Sequence, residues 1–226
     1  MRRRNALLLG AAAVVAVIAC SDIVAPSRSR GYEWRLCVAG GLPGDCPTND
    51  SLSFHWPRSS LPVKIWVQDT YDLQNHVRDA VALWKNALIY GEYDAKLVSD
   101  SSLADVIVRF GALPAPAPSI VLHAVAAFCD GVTTIDSLSA GRDTLWTPIR
   151  IFLNSSFPAT NVDAARCLRI TTAHEIGHSL GLFQHSPNAT DLMYTLPDLD
   201  GISLLDVNTV EFVYHLPADL TPARGP

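Results

Sequence analysis

Residues 171–194 read T-T-A-H-E-I-G-H-S-L-G-L-F-Q-H-S-P-N-A-T-D-L-M-Y, with His174, Glu175 and His178 in the order H-E-x-x-H. On a helix, residues four apart lie one turn apart on the same face, so both imidazoles can reach one metal ion with Glu175 beside them. Seven histidines and four glutamates in 226 residues would produce this pattern by chance roughly 0.004 times. An ordinary amphipathic helix carrying two surface histidines is therefore the weaker reading. The pattern describes a zinc site with a built-in base.

A catalytic zinc takes three protein ligands and leaves its fourth position to water. His185 is the candidate for the third. On an unbroken helix it would lie roughly 10 Å beyond His178, at about 1.5 Å per residue, whereas a zinc–nitrogen bond spans only about 2.1 Å. The helix must end before His185. Gly181 is placed to end it, because glycine enters the left-handed conformation of a helix C-cap without steric cost.

The stretch H-E-I-G-H-S-L-G-L resembles the metzincin zinc metallopeptidases, whose pattern is H-E-x-x-H-x-x-G-x-x-H followed by a methionine turn. That register would put the third ligand at Gln184; here the histidine is His185, one residue later. The pair His185-Ser186, the sequence D-L-M-Y ending at Tyr194, and the spacing from His185 to Met193 resemble the matrixin subgroup. The extra residue then falls between Gly181 and His185. The resemblance implies an α/β (α+β) zincin fold: a twisted, mostly parallel sheet with one antiparallel edge strand, a zinc helix, a Met-turn and a C-terminal helix. It implies one catalytic Zn2+ on His174, His178 and His185, with Glu175 as general base in peptide-bond hydrolysis. Met193 would form an apolar floor beneath the histidines, and Tyr194, directly after it, is not assigned to zinc. In zincins whose third ligand is a glutamate the candidate would be Glu211, which lies on the last helix. Structural Ca2+ or a second zinc is not expected, since the corresponding segments are not recognisable. Neither Cys37 nor Cys46 sits in a segment resembling the matrixin latency switch.

Residues 1–19 read as an export signal, with Arg2 to Arg4 ahead of an apolar run from Ala6 to Ala19. The run is shorter than the ~20 residues of a membrane-spanning helix. It ends V-I-A-C, which resembles a bacterial lipoprotein box with Cys20 as the lipid acceptor; an ordinary signal peptide cut near Ala19 is the alternative. Either reading places the protein outside the cytoplasm, in the cell envelope or secreted. Cys37, Cys46, Cys129 and Cys167 remain, an even number for an oxidising compartment. Of the three pairings, Cys37 with Cys46 and Cys129 with Cys167 is preferred, closing a Gly/Pro-rich loop and fastening mid-chain to the metal helix. A second metal site is the alternative, but no C-x-x-C supports it.

Losing the three leader arginines takes the net charge from −5 to −8, and no basic run remains for nucleic acid. Residues 20–60 read as a tether and an irregular segment, 61–216 as the catalytic domain of a monomer, and 217–226 as a flexible tail. Val63, Ile65 and Val67 alternate with polar or interfacial residues, as in a strand. Leu73 to Ile89 is an amphipathic helix in which His76 reads as solvated. Ala95 to Val98, Asp105 to Phe110 and Ile149 to Leu153 read as further strands. Ile120 to Phe128 resembles the matrixin edge strand above the cleft, where a peptide adds as another strand; His123 on it reads as structural. Gly131 to Trp146 reads as a hairpin or excursion. Ser203 is placed to cap a last helix, Leu204 to His215. Three functions stay open: an exported zinc endopeptidase, a non-catalytic peptide- or zinc-binding protein that kept the fold, and a metal-stabilised surface structural protein.

Overall fold

The computed structural model describes residues 31–38, 50–112, 120–125, 129–156 and 162–225. Cys20, Cys46 and the leader lie outside the described residues. Three helices accompany ten strands among those described: α1 (Leu73–Ala87), α2 (Val162–Ser179), α3 (Leu204–Tyr214), β1 (Leu36–Cys37), β2 (Ser51–Leu52), β3 (Val63–Val67), β4 (Ala95–Val98), β5 (Val106–Phe110), β6 (Ile120–Val125), β7 (Cys129–Ile135), β8 (Thr144–Thr147), β9 (Ile149–Ser155) and β10 (Thr221–Arg224). The class is mixed α/β. The central sheet runs β4-β3-β5-β9-β7-β6, with β4, β3, β5 and β9 parallel.

The alternating strand β3 turns Val63, Ile65 and Val67 inward, where they meet Val106, Val108, Ile149, Ile151 and Leu153 in one core. Helix α1 adds Leu73, Val77, Ala80, Val81 and Trp84 at helical spacing. Its His76 is buried rather than solvated, and burial pushes its pKa down. The Trp84 indole donates to the Ala173 carbonyl at 2.8 Å, which fixes α1 against α2. Helix α2 has no polar face at its C-terminal half: all ten residues from Ile170 to Ser179 are buried. Such a helix must satisfy its polar side chains internally. Thr172 donates to Leu168 O and Ser179 to Ile176 O, each within 2.7 Å.

Further expectations are corrected. The antiparallel strand is not the sheet edge: β7 runs antiparallel to β9, and β6 pairs antiparallel with β7 outside it, so the edge strand runs in the parallel direction. The first part of the expected excursion, up to Ile135, is that internal strand. The expected tail is not loose over its described residues, 217–225, since β10 pairs in parallel with β8 and Asp219 accepts from the Ser53 N–H and hydroxyl. The body also begins before Leu61. Tyr32, Trp34, Leu36, Phe54 and Trp56 are buried in the same core, and β1 pairs with β2. Strand order and pairing partners are set by how the chain crosses itself, and local periodicity carries no information about them.

Ser203 caps α3 as its placement indicated. Its side chain and that of Asp206 form a reciprocal capping box. Cys129 and Cys167 are bonded, with Cα atoms 6.1 Å apart; Cys37 is also disulfide-bonded. Among the described residues no helix is long and apolar enough to cross a membrane.

Candidate metal centre

His174 and His178 project from α2, and its C-terminus brings in the third histidine. The Leu182 N–H bonds Gly177 O and the Gly181 N–H bonds His178 O, at 3.3 and 3.1 Å, with Gly181 at φ +106°. This is a Schellman ending, which needs the left-handed residue that Gly181 supplies. A Cβ on Gly181 would also lie 1.9 Å from Phe54 O, so no side chain fits there. The Trp56 indole covers the helix end by donating to Ser179 O at 2.9 Å. The chain then folds back and presents His185.

The three imidazoles converge. His174 Nε2 lies 3.0 Å from His178 Nε2, and His178 Nε2 lies 3.3 Å from His185 Nε2. A tetrahedral ion with metal–nitrogen bonds of about 2.1 Å would hold its ligand atoms about 3.4 Å apart, close to these values. The tautomers agree with that role. His174 Nδ1 bonds Leu192 O at 2.7 Å and His178 Nδ1 bonds Leu182 O at 2.5 Å. A carbonyl only accepts, so in each neutral ring Nδ1 carries the proton and Nε2 its lone pair. Lone pairs facing one another at 3.0 Å repel unless a cation lies between them. Protonation is disfavoured: burial, reinforced by His185, pushes the His174 pKa down to about 3, and burial pushes His178 well below its usual value. The residues thus fit a bound metal ion, and His174, His178 and His185 form the cluster able to hold one.

Gln184 does not join them. Its side-chain amide donates to Arg35 O at 3.0 Å, on the N-terminal segment. His123 lies on β6 opposite Val132, and its side chain is outside the described residues. Glu211 lies on α3 and is not part of the histidine cluster.

Glu175 faces β7. Its Oε2 accepts from the Thr133 hydroxyl at 2.6 Å. Gly131, two residues earlier, leaves the space: a Cβ there would meet Glu175 Oε1 at 2.4 Å and Thr171 Cγ2 at 2.5 Å. Cys167, Thr171 and Glu175 recur every four residues along α2, matched on β7 by Cys129, Gly131 and Thr133 at every second residue. One helix stripe therefore closes on one strand face, with the disulfide at one end and the carboxylate at the other.

Met193 is fully buried, and a Cβ on Gly177 would meet its sulfur at 2.5 Å and Trp84 at 2.6 Å. Gly177, between the two helix ligands, is what lets the methionine approach. The turn is held by Asp206, whose carboxylate accepts from Leu192 N–H at 2.8 Å and Tyr32 OH at 2.9 Å. Burial raises the Asp206 pKa, while the bonds from Ser203, Leu192 and Tyr32 lower it. Leu192 thus links Asp206 to His174, its N–H on one and its carbonyl on the other. Sequence reasoning missed Asp206, Thr133 and Gly131. Only the S-L-L-D capping pattern signalled Asp206, and it spoke of a helix start rather than of the site.

Fold and site together define a mixed α/β domain with a three-histidine centre that can bind a metal ion beside a buried glutamate. No protein-family model matches the chain, and no curated protein matches it significantly.

Proposed function

We propose that the protein is an exported zinc-dependent endopeptidase of metzincin type. The observation that carries this reading is the convergence of three Nε2 atoms, two of them with tautomers fixed by carbonyls, one residue from Glu175. Three imidazoles with an open fourth position suit zinc among the common metals. Bound there, zinc would supply Lewis-acid activation of a water and of the scissile carbonyl. Glu175 takes the proton of the attacking water and passes it to the leaving amine. Thr133 holds the Glu175 carboxylate through its hydroxyl, and Met193 floors the histidines with apolar surface. An extended peptide has a strand to pair with at the outer edge of β6, the last strand in the sheet order. The basic and apolar leader with Cys20 supports a lipid-anchored site of action in the cell envelope.

One observation favours the second reading, a non-catalytic binding protein: Glu175, His174 and His178 are all 0 % exposed. The two readings separate on zinc content and cleavage of a quenched fluorescent peptide library by wild type, Glu175→Gln and His185→Ala. The endopeptidase reading expects one zinc and cleavage for wild type, zinc without cleavage for Glu175→Gln, and weakened but measurable zinc binding without cleavage for His185→Ala. Zinc binding with no cleavage by wild type would transfer the conclusion to the binding protein.

A further inference from the structure

His185 is carried by a loop, and that loop is bonded on both sides of the histidine. After it, the Ser186 N–H donates to Met193 O at 2.8 Å. Before it, the Phe183 N–H donates to Trp34 O at 2.8 Å and the Gln184 amide donates to Arg35 O at 3.0 Å. The second pair of bonds comes from residues almost 150 positions earlier. That N-terminal stretch is itself fixed. Gly31 lies so close to α3 that a Cβ would overlap the Thr209 hydroxyl, and Tyr32 OH donates to Asp206. Trp34 is buried with its ring edge-on to Phe212, centroids 5.2 Å apart, and Leu36 enters the β1–β2 pair.

We propose that residues 31–36 form a strap that works as part of the metal centre, with Gln184 as a positioning residue for His185. The inference rests on reading the three histidines as a metal site. His174 and His178 are placed by a buried helix, and their rings are oriented by Leu192 O and Leu182 O. His185 stands on the 183–186 loop and not on a helix, so its backbone position follows the course of that loop. Gln184 and Phe183 fix its course against the strap, as Ser186 fixes it against the methionine turn. The residue that separates Gly181 from His185 by one more position than the metzincin spacing is thereby used: it lets the chain reach the strap before it returns to the imidazoles. Groups that orient a ligand in this way typically change metal affinity about 10–100-fold when removed.

The test is Zn2+ affinity of the full chain by competition with a chromophoric chelator, for wild type, Gln184→Ala, Gln184→Glu, His185→Ala and the double variant Gln184→Ala/His185→Ala. Glutamate keeps the length of the side chain but offers the Arg35 carbonyl no donor. The expected result is a loss of about 10–100-fold for both Gln184 variants, an unchanged melting temperature without metal, and no further loss when Gln184→Ala is added to His185→Ala. Wild-type affinity in the Gln184 variants would overturn the proposal. So would an equal loss in the His185→Ala background, which would mean general loosening, or a loss in Gln184→Ala with none in His185→Ala, which would make Gln184 the ligand. If wild type binds no Zn2+, the metal-site reading itself falls and takes the proposal with it, an outcome distinct from all of these. None of the readouts requires a peptide substrate.

Discussion

Replacing Gly131 by alanine places one methyl group into the interface between β7 and α2. The added carbon would stand 2.4 Å from Glu175 Oε1, 2.5 Å from Thr171 Cγ2 and 2.7 Å from Glu175 Cγ. Ordinary contact is about 3.5 Å, so about 1 Å must be found. The strand cannot simply swing away. Cys129, two residues along, is bonded to Cys167 of the same helix, and Gly131 is paired with Leu153 on one side and Ala124 on the other. The Glu175 side chain therefore moves. Overpacking of this size costs about 1–3 kcal/mol, or about 2–12 °C of melting temperature for a domain of this length. Under the proposed peptide hydrolysis, a carboxylate displaced by about 1 Å would lower turnover by about 100-fold. None of the three nearest atoms belongs to a histidine, so zinc content should hold. Calorimetry, metal analysis and peptide cleavage on Gly131→Ala measure the three quantities. Val132→Ala is the control, because its side chain points to the other face beside Phe152 and Asn154. A Gly131→Ala protein with wild-type melting temperature and turnover would refute the packing argument.

The Cys129–Cys167 bond closes 38 residues, and loop-closure entropy assigns it about 4 kcal/mol; Cys129→Ser/Cys167→Ser should lose most of that in a denaturant titration while retaining zinc. In the metal-free protein His174 has a folded pKa near 3 against about 6.5 unfolded. The unfolded state then binds the proton first, so stability is present above pH 6.5 and falls steadily towards pH 3, by up to about 1.4 kcal/mol per pH unit for this group; melting curves of metal-free protein from pH 8 to 4 would check it, with a flat profile as the contrary result. Asp206→Asn replaces an acceptor-only group that holds Leu192 N–H and Tyr32 OH with one carrying donors. Misplaced buried donors cost about 1–3 kcal/mol, and zinc affinity should drop with stability because Leu192 O orients His174; unaltered affinity would show that the turn holds without Asp206.

Much of the site was written locally. H-E-x-x-H fixes two imidazoles on one helix face by the 3.6-residue period alone, and Gly181 marks the helix end because only glycine is cheap at positive φ. The strands β3, β4, β5 and β9 and the capped α3 were legible for the same reason, since alternation, helical spacing and an N-cap serine are short-range patterns. The preferred pairing of Cys129 with Cys167 also appears in the structure.

The tertiary structure decided what touches the site from a distance. Thr133 and Gly131 are ordinary strand residues until β7 is laid along the Cys167–Thr171–Glu175 stripe, and β7 became internal because β6 took the edge. Asp206 gained its place beneath the methionine turn from the packing of α3. Gln184 turned from the histidines to Arg35 because the first described residues cross the loop there. In each case the contact joins segments whose sequence separation, from 14 to 174 residues, exceeds any helical or strand period. The sequence determined which groups can bind a metal; chain crossings determined which neighbours hold them in place.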